Sequence, residues 1–299
     1  MEKYIKHYQD IDNGESIAYV KEGSGKSKLL LIHGNYCSSL HWSELIARLK
    51  NDFTIYAVDL RGFGDSSYNH EFNSLADLAD DVALFCEKQN LTNITVAGWS
   101  LGGGVVMALA ARHPKIVKKM ILIDSMSYRG YPMFVTGLHG QPVVGSVFTS
   151  KNLMANDPVQ VKPLIRAIRG RNFPATNIFM NMLIYTGKRS PTYTESLYYI
   201  SESFKQRCVV DALWSMANFN MSDLPTLYSA GDGSAKQVKC PIISFWGVKD
   251  KMVPYSMATE NCVGFPQLEF VVVHDSGHAP ILDNPDYMAV EIKKWIIGE

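Results

Sequence analysis

The stretch that most constrains the fold is Val96-Ala97-Gly98-Trp99-Ser100-Leu101-Gly102-Gly103-Gly104. Residues 93–97, apolar and rich in β-branched side chains, read as a buried strand. Residues 101–113 read as a helix that Pro114 stops. Between them lies Gly-Trp-Ser-Leu-Gly, a strand-to-helix turn of the Gly-x-Ser-x-Gly pattern. Such a turn strains the serine backbone and brings the residues two before and two after it together. Side chains would collide there, which is why Gly98 and Gly102 flank the serine. The turn also sets Ser100 at the head of a helix, where free N–H groups and the dipole favour developing negative charge.

The rest of the chain repeats this alternation. Asn13-Gly14 between residues 4–10 and 16–21 predicts a β-hairpin, which Gly23-Ser24-Gly25 ends. Further strands are expected at 28–32, 53–60, 119–124, 240–246 and 268–273, and helices at 41–50, 73–89, 255–262 and 285–297. Strands alternating with helices imply a mostly parallel sheet covered by helices on both faces. From 125 to 239 the rhythm breaks into helix-like pieces at 159–168, 176–185 and 195–218, separated by Gly and Pro. The expected organisation is a core of residues 1–124 and 240–299, interrupted by a helical lid at 125–239. A chain of 299 residues can bury a sizeable core.

Composition gives no sign of several classes of partner. Lys+Arg and Asp+Glu both total 29, so no surplus charge points to nucleic acid or to an anionic membrane. The first residues lack the apolar core of a signal peptide, and no apolar run reaches membrane-spanning length. Five scattered cysteines (Cys37, Cys86, Cys208, Cys240, Cys262) include no C-x-x-C pair, which reads as free thiols in a reducing cytoplasm.

Serine is a poor nucleophile at neutral pH, so Ser100 needs a base, and the base needs an orienting acid. Around such a turn the partners follow in the order Ser, acid, His, which points to the C-terminal His274 and His278. His274 ends an apolar run, whereas His278 sits in Asp275-Ser276-Gly277-His278-Ala279-Pro280, a loop beyond a strand end. Loops past the carboxyl ends of strands are where an open α/β sheet places its site, so His278 is the expected base. Two acids satisfy the order. Asp250 follows the strand at 240–246 and is the expected partner; Asp124, closing the strand at 119–124, is its rival. The oxyanion of a tetrahedral intermediate needs two donors. One is expected from the backbone N–H of Leu101, the other from that of Asn35, in the loop where Gly34 permits a sharp turn.

Together, His33-Gly34-Asn35, the segment Asp59-Leu60-Arg61-Gly62-Phe63-Gly64-Asp65-Ser66, the serine turn, Trp246-Gly247-Val248-Lys249-Asp250 and Gly277-His278 resemble the α/β-hydrolase family. The resemblance covers residues 16–124 and 240–297. It implies the α/β-hydrolase fold, a Ser100–Asp250–His278 triad, and a loop-shaping rather than catalytic role for residues 59–66. The serine turn is similar to that of small carboxylesterases, including the methyl-ester esterases of biotin synthesis, whose lids are shorter. Haloalkane dehalogenases and epoxide hydrolases of this fold place Asp at the turn, and Ser100 argues against both. Cofactor-free haloperoxidases and C–C bond hydrolases use the same triad and stay open, as does a slow hydrolase acting as a ligand sensor. The expected activity is hydrolysis of a small to medium carboxylic ester with an apolar acyl part. It would proceed through an acyl-enzyme, with no metal or organic cofactor. Among Met133, Phe134, Leu138, Phe179, Met180, Met182, Leu183, Tyr185, Tyr198, Phe204 and Trp214, some are expected to line an acyl pocket and most to form the lid's own core. Cys37 reads as a packed thiol.

Overall fold

Among residues 2–298, which the computed structural model describes, eight strands form one sheet. They are β1 (Lys6–Asp10), β2 (Ser16–Glu22), β3 (Ser27–Ile32), β4 (Phe53–Val58), β5 (Ile94–Trp99), β6 (Val117–Ile123), β7 (Ile242–Gly247) and β8 (Leu268–Val273). Their spatial order is β1-β2-β4-β3-β5-β6-β7-β8. β1 and β2 form the hairpin expected at Asn13-Gly14, and β2 pairs antiparallel with β4; all other pairings are parallel. This is the α/β-hydrolase fold.

The alternation of side chains along each central strand explains why both faces are covered. In β3, Leu30 and Ile32 enter one hydrophobic cluster while Leu29 and Leu31 enter the other, and all four are fully buried. Burying side chains of this size contributes about 1.5–3 kcal/mol each. β5 and β6 divide in the same way, with Val96, Met120 and Leu122 on one side and Ala97, Ile121 and Ile123 on the other. Helices Leu75–Lys88 and Leu101–Arg112 cover the first face, and Ser43–Leu49 and Pro285–Ile297 the second. Helix Leu75–Lys88 begins where Ser74 and Asp77 form a reciprocal capping box.

From β3 the chain moves outward to β4, then returns to lay β5 on the other side of β3. The carboxyl ends of β3 and β5 therefore flank a topological switch point, the crevice where such sheets bind ligands.

Between β6 and β7 the chain forms helices Lys151–Ala155, Lys162–Arg169, Phe173–Leu183, Tyr193–Ser203 and Val209–Asn218. The single helix expected at 195–218 is thus two. The break is where the chain turns to the sheet: Arg207 N–H donates to Gly62 O at 2.8 Å, and Gln206 reaches the loop after β3. Phe204, Lys205 and Gln206 N–H still close the last turn on Ile200, Glu202 and Ser203 O, and Gly62 O then takes the Arg207 N–H that the helix no longer serves. This intervening segment joins both clusters, with Met126, Tyr128, Cys208, Ala212 and Met221 in the first and Met180, Tyr199 and Leu213 in the second. No helix among the described residues is long and apolar enough to cross a membrane.

Candidate active site

The turn after β5 has the strained geometry its glycines imply. Ser100 sits at φ 56° and ψ −117°, a region costly for a residue with a side chain. A Cβ on Gly98 would lie 2.3 Å from Gly102 O, and one on Gly102 2.3 Å from Ile32 O. Gly102 O is held in the first turn of the helix and Ile32 O in β3, so the turn closes only with glycine at both positions. Helix Leu101–Arg112 starts directly after Ser100 and is buried along most of its length.

His278 reaches Ser100 from the loop after β8. Its Nε2 is 3.0 Å from Ser100 Oγ, and its Nδ1 is 2.8 Å from Asp250 Oδ2. An ionised carboxylate can only accept, so Nδ1 carries the hydrogen and Nε2 is left bare toward the serine hydroxyl. Asp250 Oδ1 accepts from the N–H groups of Met252 and Val253 at 2.7 and 2.9 Å. Burial alone would raise the Asp250 pKa, but His278, Asp124 and the Val253 N–H together hold it below the usual carboxylate range. His274 is exposed, whereas His278 is buried.

The rival acid stands beside the expected one. β6 and β7 are neighbours, so Asp124 and Asp250 leave the sheet at adjacent positions and their carboxyl groups hydrogen-bond to each other. Asp124 is fully buried, and its Oδ1 accepts from Gly247 N–H at 2.8 Å. Burial first, and then the Asp250 charge, push its pKa well above the ordinary value. As an acceptor its Oδ2 would have no partner; carrying a proton, it has one in Asp250. Asp124 is therefore the neutral member of the pair, donating to the ionised one.

Two contacts hold this arrangement that sequence patterns did not single out. Trp99 Nε1–H donates to His278 O at 2.6 Å, so the residue before the nucleophile candidate pins the base's own backbone. The signal was available only as the tryptophan between the two turn residues. Gln206, buried and distant in sequence, donates from Nε2 to Asn35 Oδ1 at 2.9 Å and accepts from Tyr36 N–H at 3.0 Å. No motif marks it.

The loop after β3 is fixed from beneath. His33 Nε2 accepts from Leu60 N–H at 3.0 Å, so its Nδ1 carries the hydrogen and donates to Gly34 O at 2.8 Å. Burial lowers the His33 pKa to about 4, keeping it neutral. Asp59, in the 59–66 segment, accepts from Ser39 N–H at 2.6 Å and Asp65 N–H at 2.8 Å, a structural task. The backbone N–H of Asn35 makes no hydrogen bond among the described residues. Leu101 is the first residue of its helix, where the N–H has no intrahelical acceptor. Both flank Ser100. Burial pushes the Cys37 thiol well above its ordinary pKa, leaving it an inert, packed group.

Ser100, His278, Asn35 and Trp99 face a cavity of about 590 Å³. Of the aromatic and aliphatic residues picked out between β6 and β7, Met133, Phe134, Phe179, Met180, Leu183 and Tyr185 line it. Leu138 and Met182 are exposed instead, and Tyr198, Phe204 and Trp214 pack against the core. Leu164, Leu213, Met216 and Met252 complete the apolar wall, and no Lys, Arg, Asp or Glu among the described residues lines it. Among the described residues, two sets of Asp, Glu and His side chains bring donor atoms within 4.8 Å of one another. In Asp59, Asp65 and Glu202, Lys6 Nζ already bonds all three at 2.7–2.8 Å; in Asp124, Asp250 and His278, the donors are engaged with each other.

Comparison with known proteins agrees with this architecture. A family model described as "alpha/beta hydrolase fold" matches residues 28–285. The pimeloyl-[acyl-carrier protein] methyl ester esterase of Vibrio vulnificus is 26% identical over 267 residues, covering 89% of this chain and 92% of that protein. Lipase 1 of Psychrobacter immobilis is 25% identical, over 95% of this chain and 81% of its own length. Among solved structures, an esterase from Exiguobacterium antarcticum superposes with a TM-score of 0.74 at 18% identity, covering 98% of this chain and 99% of that one. The chain belongs to the α/β-hydrolase family and stands among its esterase- and lipase-named members.

Proposed function

We propose that the protein is a serine hydrolase that cleaves a small to medium carboxylic ester with an apolar acyl part. The observation that carries this reading is the hydrogen-bonded line Asp250–His278–Ser100 opening onto an uncharged, apolar cavity. His278 Nε2 takes the Ser100 proton as Oγ attacks the ester carbonyl. Asp250 holds the tautomer and steadies the imidazolium. The Leu101 and Asn35 N–H groups receive the oxyanion. His278 returns the proton to the leaving alcohol, water attacks the acyl-enzyme, and the same histidine serves as base again. Each step uses only protein groups and water. The segment at 125–239 acts as the lid, because most of the cavity's bulky apolar wall comes from it, Met133, Phe134, Phe179, Leu164, Leu213 and Met216 among them. All five cysteines are free, which supports a reducing, cytoplasmic setting.

The test is a fluorophosphonate probe together with p-nitrophenyl esters of increasing acyl length, on wild type and Ser100→Ala. Labelling and turnover of medium-chain esters, both lost in Ser100→Ala, are expected. Unlabelled Ser100 with cleavage of a vinylogous diketone but no ester would overturn the ester reading.

A further inference from the structure

The balanced charge of the whole chain conceals a local imbalance. Residues 131–191 contain Lys151, Lys162, Arg166, Arg169, Arg171, Lys188 and Arg189, against the single acid Asp157. Asp157 is buried and spends its carboxylate on Thr136, Val159 and Gln160. Lys151 pairs with Asp211, and Arg189 with Glu195. Lys162, Arg166, Arg169, Arg171 and Lys188 form no ion pair among the described residues. On helix Lys162–Arg169 three of them recur at i, i+4 and i+7, which is one face. Pro163 and Ala167, one residue further along, line the cavity.

Exposed aliphatic side chains accompany these cations. A tight loop closed by the Thr136–Pro142 bridge carries Leu138 at 102% exposure. Val144 follows at 83%, and Ile178 and Met182 are each 60% exposed. The loop is seated at the cavity mouth: a Cβ on Gly140 would lie 4.0 Å from Val159, which is both exposed and cavity-lining, as is Pro142. Protruding aliphatic groups beside unpaired cations suit lipid headgroups with acyl chains beneath them. These side chains stand outward from the surface, as groups that enter a lipid layer must.

We propose that residues 131–191 form a docking surface for an anionic lipid interface. The five free cations pair with lipid phosphates, while Leu138 and Val144 dip below the headgroups, setting the cavity mouth against the lipid. The proposal goes beyond ester hydrolysis, since binding does not require Ser100 chemistry. Total charge is silent on such a face, because it averages these cations against acidic residues elsewhere.

The test is flotation of the full chain with phosphatidylcholine vesicles, with and without phosphatidylglycerol, at low and high salt. Binding is expected only with phosphatidylglycerol, and salt should weaken it. Arg166→Glu/Arg169→Glu should weaken it at least about tenfold, and Leu138→Ser/Val144→Ser should weaken it as well. Both variants should keep wild-type hydrolysis of a soluble short-chain ester, an assay that reports on the proposed triad separately. Absence of flotation, or flotation unchanged in the Arg166→Glu/Arg169→Glu variant, would overturn the proposal. So would binding that needs the arginines but is indifferent to Leu138→Ser/Val144→Ser, the outcome for a surface that takes an acidic protein.

Discussion

Replacing Asp250 by Asn tests the proposed acid through one well-defined atom. Asp250 Oδ1 accepts two backbone N–H groups, from Met252 and Val253. In Asp250→Asn the amide oxygen must keep that place, because an amide nitrogen there would face two donors. The amide N–H₂ is then turned to His278 Nδ1, which must accept where it formerly donated. The imidazole hydrogen moves to Nε2 and points at Ser100 Oγ, so the base has no lone pair for the serine proton. A comparable change in a well-studied serine protease triad costs about 10⁴ in kcat, equivalent to about 5 kcal/mol of barrier.

Asp250→Asn should therefore lower kcat by about 10³–10⁴ at neutral pH. Asp124→Asn has the opposite outlook. Its amide oxygen can keep the Gly247 N–H and its nitrogen can replace the donated O–H to Asp250. Asp124 also has φ 40°, a region Asn tolerates better than most residues. The cost should stay within about tenfold. The two sites are also linked. With the Asp250 charge gone, one cause of the raised Asp124 pKa disappears, and Asp124 can ionise as the pH rises. Part of the activity of Asp250→Asn should then return toward pH 10, and Asp250→Asn/Asp124→Asn should recover less. The assay is kcat on one p-nitrophenyl ester from pH 6 to 10, with folding checked by circular dichroism. A crippled Asp124→Asn beside a near-normal Asp250→Asn would refute the reasoning and transfer the acid to β6.

Three further outcomes follow from the same geometry. His278→Ala should abolish fluorophosphonate labelling, whereas exposed His274→Ala should keep near-wild-type turnover; comparable losses in folded protein would contradict the assignment of the base. Burial raises the Asp283 pKa to about 7, so the stability its neutral form contributes is present at pH 4 and is lost as the pH rises through about 7. Asp283→Asn, which can still accept from Gly277 N–H, should melt higher than wild type at pH 8, with a smaller gap at pH 5; a pH-independent difference would exclude this linkage. Gln206→Leu removes the side chain that holds Asn35 and Tyr36, and should lower kcat about ten- to a hundredfold with KM little changed, since a lost oxyanion donor costs about 10²–10³; an effect on KM alone would place Gln206 in the binding wall instead.

Much of the fold was legible because burial on both faces leaves a strong local signature. The apolar runs that became β3, β5 and β7, and the periodic helices Leu75–Lys88 and Pro285–Ile297, could be placed within a few residues. The candidate site was legible where a residue stands just past a strand end, as Ser100, Asp250 and His278 do. It was opaque where the determinant is a partner rather than a position. Asp124 and Asp250 each fit the chain order, and only the adjacency of β6 and β7 turns two rivals into a hydrogen-bonded pair. The break in the helix expected at 195–218 was hidden for the same reason. Its cause is Gly62 O and the loop at Asn35, distant in sequence and invisible to helical periodicity.

The segment between β6 and β7 carries most of what local reading could not reach, and its contacts show why. Its first half, through Tyr185, supplies cavity wall, exposed aliphatic groups and free cations. These follow no strict period, because each side chain answers to the cavity or to solvent rather than to a regular core. Its second half turns inward. Glu202 meets Lys6 of β1 at 2.7 Å, Gln206 grips Asn35 and Tyr36, and Asp211 accepts from Tyr68 Oη–H at 2.5 Å and Phe72 N–H at 3.2 Å. Shortening the proposed lid across 202–211 would therefore release Lys6, Asn35 and Tyr36 together. Through Gln206, the stretch from 202 to 211 is bound to the geometry of Asn35, the proposed oxyanion donor.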